Sequence, residues 1–157
     1  MRIGYGYDVH RLKRGRKCIL CGVEILSEFG PDGHSDADVA IHALIDALLG
    51  ALALGDIGRW FPETDNKWSG ADSTKLLDTI YNAVLERGYI LGNTDITIVL
   101  QSPRLCSYID KMRASLADIL KTDINNISIK ATTEEKMGFT GDGSGVCASA
   151  VVLLEEN

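Results

Sequence analysis

The stretch Asp36-Ala37-Asp38-Val39-Ala40-Ile41-His42-Ala43-Leu44-Ile45-Asp46-Ala47-Leu48-Leu49-Gly50-Ala51-Leu52-Ala53-Leu54 is almost wholly apolar. Ser35 precedes it as a candidate N-cap, and Gly55 stops it. The exceptions in its body are Asp38, His42, Asp46 and Gly50. Their spacing of four residues places them on one face of a helix. A helix apolar around the rest of its surface is buried on several sides. It is too interrupted to span a membrane. Buried charges are costly unless paired or metal-bound. A metal on His42, with Asp38 or Asp46 accepting from its other ring nitrogen, removes that cost. The competing reading is a stripe that simply faces solvent.

Upstream, residues 2–10 read as a strand containing Asp8-Val9-His10. Asp8 and His10 alternate along it, so both side chains leave the same face. The chain has three histidines, and the other two are His34 and His42. Two imidazoles and a carboxylate on rigid elements make a tetrahedral zinc site with one open position. Cys18 to Leu26 reads as a second strand, closing a hairpin over Lys13-Arg14-Gly15-Arg16-Lys17. That basic run is either a solvated hairpin tip or an attractor for a phosphorylated substrate. Gly30, Pro31 and Gly33 mark a loop.

Downstream, Thr64 to Gly70 is an exposed loop. A helix runs from about Asp72 to Arg87, with Leu76, Leu77, Ile80 and Val84 on one face. Thr94 to Gln101 alternates as a strand, which Pro103 breaks. A helix through Met112, Leu116, Ile119 and Leu120 follows. Ile127, Ile129 and Ala131 mark a strand, Gly138 to Gly145 is glycine-rich, and Val146 to Leu154 is a final strand. The order is β-β-α-α-β-α-β-β, without repeats or linkers. This predicts one α+β domain over residues 1–157, with a mixed sheet packed against helices.

The chain has 157 residues, 45% of them hydrophobic, enough for one domain with a core. A net charge of −6 argues against a nucleic-acid surface. Cys18, Cys21, Cys106 and Cys147 form no zinc ribbon or thioredoxin-like motif, and Cys18 and Cys21 are expected on opposite faces of a strand. They read as reduced thiols, and with no secretory or transit-like segment the expected location is cytoplasmic.

Two further segments carry chemistry. Asp56 between Gly55 and Ile57-Gly58 suits a polyol or phosphate, or equally a turn after the helix. Ala131-Thr132-Thr133-Glu134-Glu135-Lys136 ends a strand. Its hydroxyls and backbone N–H groups suit phosphate oxygens, and a carboxylate there suits a hard divalent cation. An ordinary polar loop is the alternative. Gly141-Asp142-Gly143-Ser144-Gly145 lacks the Lys and Ser/Thr of a Walker motif.

Asp8-Val9-His10, His34-Ser35-Asp36, the His42 helix, Gly55-Asp56-Ile57-Gly58, Phe61-Pro62-Glu63-Thr64-Asp65, Gly70-Ala71-Asp72-Ser73, Lys130-Ala131-Thr132-Thr133 and Glu135-Lys136-Met137-Gly138-Phe139-Thr140-Gly141 occur in this order. Together they resemble the 2-C-methyl-D-erythritol 2,4-cyclodiphosphate synthases over essentially the whole chain. The resemblance implies an enzyme of non-mevalonate isoprenoid biosynthesis. It implies conversion of 4-diphosphocytidyl-2-C-methyl-D-erythritol 2-phosphate to the cyclic diphosphate and CMP. It also implies a homotrimer around a central axis, with active sites between subunits.

By the same resemblance, Asp8, His10 and His42 hold zinc, and Glu135 holds Mg²⁺ or Mn²⁺. His34 and Thr133 orient the reacting phosphates, with Ser35 beside them. Asp56, Ile57 and Gly58 belong to the erythritol pocket, with Phe61, Pro62, Glu63, Thr64 and Asp65 next to it. Leu100, Gln101, Ser102, Pro103, Arg104, Leu105 and Cys106, with Ala131, Thr132 and Thr133, belong to the cytidine and diphosphate pocket, and Glu134, Phe139 and Asp142 lie nearby.

Intramolecular attack by a phosphate needs positioning and charge neutralisation, not an activated Ser or Cys. Arg104, Glu134, Asp142 and Ser144 depart from residues common in the family. The rival readings are a zinc phosphohydrolase using metal-bound hydroxide and a non-enzymatic trimer that binds metal or nucleotide.

Overall fold

The computed structural model describes residues 1–157. Its strands are β1 (Arg2–Arg14), β2 (Cys18–Leu20), β3 (Val23–Ile25), β4 (Phe29–Asp32), β5 (Tyr89–Val99), β6 (Ile127–Thr132) and β7 (Gly145–Glu156). Its helices are α1 (Val39–Ala51), α2 (Ile57–Trp60), α3 (Ser73–Glu86), α4 (Ile109–Ile119) and α5 (Gly138–Gly141). The main sheet has the order β4-β1-β7-β5-β6, antiparallel except for the β5–β6 pair. Parallel neighbours need a crossover, and α4 lies within the one between β5 and β6. The result is the expected α+β domain with a mixed sheet.

The parity of β1 organises everything else. Gly4 and Gly6 are buried, while Ile3, Tyr5, Tyr7 and Val9 are exposed on the other face. The even face meets α1. A Cβ built on Gly4 would lie 1.8 Å from the Ala47 carbonyl oxygen, and one on Gly6 1.9 Å from that of Ala43. Only glycine lets the helix backbone settle directly on the strand. Asp8 and His10 continue the same even face, and α1 carries His42 to meet them. Ten of the thirteen α1 residues are buried, so the helix is enclosed on most of its circumference. Its apolar residues join one core with α3 and the inner faces of β5 and β7.

Several local expectations change. Cys18 to Leu26 does not pair with β1. It folds on itself as the β2–β3 hairpin, turning at Cys21-Gly22, both at positive φ. Cys18 and Cys21 are therefore not opposed on one strand, and both are buried. The partner of β1 is β4, with Arg11 opposite Asp32 and Arg14 opposite Phe29. Pro31 sits in β4 because β4 is an edge strand, where a missing N–H costs no ladder bond.

The helix starts at Val39, and its N-cap is Asp38 rather than Ser35. Ala37 has a φ of 58°, which ends any helix begun earlier. β5 begins at Tyr89 instead of Thr94, since a bulge between Leu91 and Asn93 hides the alternation. The basic run is consumed structurally. Arg14 pairs with Glu28, Lys17 with Glu24, and Lys13 and Arg16 with Asp32.

Candidate metal centre and nucleotide cavity

Three donor atoms from two elements converge. His10 Nε2 and His42 Nδ1 are 3.2 Å apart, and each is 3.0 Å from Asp8 Oδ2. A tetrahedral ion with ligands at about 2.0–2.1 Å sets its donors roughly 3.3 Å apart, so the spacing suits zinc. His10 Nδ1 donates to the Asp32 carbonyl at 2.9 Å. The neutral ring therefore turns the lone pair of Nε2 inward. Burial works to raise the Asp8 carboxyl, but the two imidazoles beside it, His10 and His42, overcome it and hold it at about 2. Burial opposes charge on His10, yet the Asp8 hydrogen bond and charge raise its pKa. This donor set fits a borderline-soft divalent ion such as zinc.

The triad floors a cavity of about 140 Å³ that His34, Ser35, Ile57, Gly58, Phe61, Glu63, Trp68 and Leu76 complete. His34 Nε2 is buried with no hydrogen-bond partner. An unpartnered ring nitrogen on a residue that lines the same cavity as the triad suits a polar ligand. Asp56 caps α2 by accepting from Arg59 N at 2.9 Å, which places Ile57 and Gly58 at the cavity wall. Asp65 caps the short turn Asn66–Trp68 and pairs with Lys67. Pro62, Thr64 and Asp65 do not line the cavity.

A second cavity of about 500 Å³ is lined by Leu100, Gln101, Pro103, Arg104, Leu105, Cys106, Ala131, Thr132, Thr133 and Glu135, together with Ile109. It gathers most of the segments expected to hold a nucleotide. The exposed Glu135 carboxylate accepts from Thr133 Oγ1 at 3.0 Å. Ser102 lies on a third concavity with Asp142. Glu134 and Asp142 have structural partners. Glu134 accepts from the Thr140 hydroxyl, and Asp142 accepts from Ser144 N at 2.8 Å. Phe139 packs at the Gly145 backbone and stays partly exposed. The two main cavities share no lining residue within one chain.

The outer neighbours of His42 differ from the expectation. Asp38 is fully buried and accepts from the backbone N–H groups of Cys21, Gly22 and Ile41 at 3.0, 2.7 and 3.1 Å. Asp46 accepts from Ile57 N at 2.7 Å. Neither serves the imidazole. Instead His42 Nε2 faces Ser73 Oγ at 3.0 Å and Ser35 Oγ at 3.2 Å. In the sequence Ser73 belonged to the Gly70-Ala71-Asp72-Ser73 motif and to the first turn of a helix, with nothing to tie it to His42.

The YgbB family model matches residues 1–155. The chain belongs to this family. A 2-C-methyl-D-erythritol 2,4-cyclodiphosphate synthase from Clostridioides difficile is 56% identical over 154 residues, covering 98% of this chain and 96% of that protein. Among solved structures, a bifunctional protein from Campylobacter jejuni superposes with a TM-score of 0.96 at 42% identity. That match covers 99% of this chain and 42% of the longer one. A Plasmodium falciparum family member in complex with CDP gives a TM-score of 0.88 at 31% identity, covering 99% and 96%. No helix of the chain is long and apolar enough to cross a membrane.

Proposed function

We propose that the chain, as one domain over residues 1–157, performs the family reaction on 4-diphosphocytidyl-2-C-methyl-D-erythritol 2-phosphate. A 2-phosphate oxygen attacks the β-phosphorus, the bond from the β-phosphorus to the bridging oxygen breaks, and CMP leaves with that oxygen. The cyclic diphosphate is the other product, and no water is consumed. The convergence of Asp8, His10 and His42 at the floor of a cavity carries this reading.

Zinc at that triad, and Mg²⁺ or Mn²⁺ at Glu135, would supply charge neutralisation at the phosphates. The remaining work falls to the chain's own residues. His34 has a buried nitrogen free to hydrogen-bond a phosphate oxygen. Thr133 offers its hydroxyl at the diphosphate end, beside Glu135. Ile57 and Gly58 pack against the carbon skeleton, while the Leu100–Cys106 segment and Ala131–Thr133 enclose the nucleotide. The attack is intramolecular by the substrate's own connectivity, and the chain contributes by holding the 2-phosphate oxygen in line with the β-phosphorus.

The assembly we propose is a homotrimer with active sites between chains. Ile3, Tyr5, Tyr7 and Val9 expose an apolar stripe on β1, with Val151 of β7 on the same sheet. Such a patch suits a protein interface. Pairing the metal cavity of one copy with the nucleotide cavity of another would join parts that stay apart in one chain. Sedimentation at the mass of three 17.0 kDa chains is the expected result.

Phosphorus NMR of the purified protein with substrate, zinc and Mg²⁺ tests the function. Equal amounts of CMP and cyclic diphosphate are expected. Linear phosphate products would favour a zinc phosphohydrolase instead. Bound metal and nucleotide without turnover would leave a binding protein.

A further inference from the structure

We infer that Ser73, held by Asp36, sets the ring tautomer of His42 and so aims its Nδ1 lone pair at the metal position. The inference rests on the reading of Asp8, His10 and His42 as a zinc site. Ser73 is the first residue of α3 and is wholly buried. Its backbone N–H donates to Asp36 Oδ2 at 3.0 Å, and its hydroxyl donates to Asp36 Oδ1. A serine hydroxyl has one proton to give. With that proton committed to Asp36, Ser73 Oγ can only accept at His42 Nε2, 3.0 Å away. The neutral imidazole carries one N–H, so placing it on Nε2 leaves Nδ1 as the lone-pair nitrogen. That is the atom facing Asp8 and His10.

Backbone bonds fix Asp36 where it must be. Asp36 N donates to the Ala71 carbonyl at 3.0 Å, and Gly70 N donates to the His34 carbonyl at 2.8 Å. The segment carrying His34 and the start of α3 are thereby joined. The Ser35 hydroxyl oxygen, already accepting from Ala37 N, stands 3.2 Å from the same His42 nitrogen as a second neighbour. His10 has its tautomer set differently, by the Asp32 main-chain carbonyl. No side-chain substitution at Asp32 removes that acceptor. The His42 acceptor is a side chain, so mutation can separate the two histidines.

Ser73 is thus a positioning residue, and two readouts test it apart from turnover. Long-range nitrogen NMR on metal-free protein, at a pH well above the imidazole range, reports each ring's tautomer. Chelator competition reports zinc affinity. Ser73→Ala is expected to give a mixed tautomer at His42, to leave His10 unchanged, and to weaken zinc binding by about 10–100-fold. Ser73→Thr, which keeps the hydroxyl, is expected to restore both. A Ser73→Ala protein with the native tautomer and native zinc affinity overturns the inference. A native protein that binds no zinc overturns the ligand set beneath it.

Discussion

Gly6→Ala tests how the fold builds the metal centre, because the residue touches no ligand. The added Cβ would sit 1.9 Å from the Ala43 carbonyl oxygen, 2.7 Å from Ala47 N and 2.9 Å from the Ala43 carbonyl carbon. All three are main-chain atoms, so no rotamer relieves the clash. Reaching ordinary van der Waals contact requires α1 and β1 to separate by about 1.5 Å. His42 is adjacent to Ala43, so it moves with the helix. Its 3.0 Å separation from Asp8 then opens to about 4.5 Å, beyond what donors at about 2.0–2.1 Å from one zinc ion can span. Overpacking of this kind costs about 1–3 kcal/mol, and a clash between two backbones lies at the upper end. Urea denaturation and chelator competition are the assays. The expected result is a loss of about 3 kcal/mol together with at least about tenfold weaker zinc binding, the loss that one outer partner alone can cause. Native stability within about 0.5 kcal/mol, with native zinc affinity, would show that the Gly6 contact with α1 does not set the spacing of the triad.

Four other outcomes follow from the same geometry. His42→Ala should lose zinc and turnover yet keep a cooperative unfolding transition, since 36 buried residues form the core without it. Elemental analysis showing normal zinc in that variant would remove His42 from the ligand set. Glu135→Gln should retain zinc but lose the Mg²⁺ or Mn²⁺ dependence of turnover, and an unchanged divalent requirement would remove Glu135 from that role. A thiol reagent should modify Cys106 readily, with CDP slowing it. Cys18 should stay inert because burial raises its pKa to about 11. Burial also pushes Asp38 up to about 6, against three backbone N–H groups, so the folded state favours its protonated form. That contribution is full below the unfolded value near 3.8 and fades as pH rises through about 6. Native stability relative to Asp38→Asn, read by denaturation between pH 4 and 6, should therefore rise as pH falls.

The convergence of Asp8, His10 and His42 was legible because its logic is periodic. Alternation along β1 put Asp8 and His10 on one face, and the apolar context of His42 marked a helix that had to be buried. The apolar helix faces followed from helical spacing, and the segments that line the second cavity were marked by the resemblance alone. The β4 strand was hidden because Gly30 and Pro31 carry turn chemistry that only an edge position tolerates. The cap was misplaced because Ser35, Asp36 and Asp38 can all cap a helix. The positive φ of Ala37 decides among them, and composition does not encode it. The outer shell of His42 was misassigned for a related reason. Residues four apart on one helix looked like partners, whereas burial gave Asp38 to backbone amides and brought Ser73 from a helix distant in sequence. Contacts between elements depend on how the sheet is ordered, and local patterns do not fix that order.

Anomalous diffraction at the zinc edge, from crystals grown with zinc, locates the ion that Asp8, His10 and His42 are proposed to hold. One strong peak per chain is predicted between Asp8 Oδ2, His10 Nε2 and His42 Nδ1, at about 2.0–2.2 Å from each. A zinc peak elsewhere, at the Cys18–Cys21 hairpin for example, or none at this triad, would contradict the account.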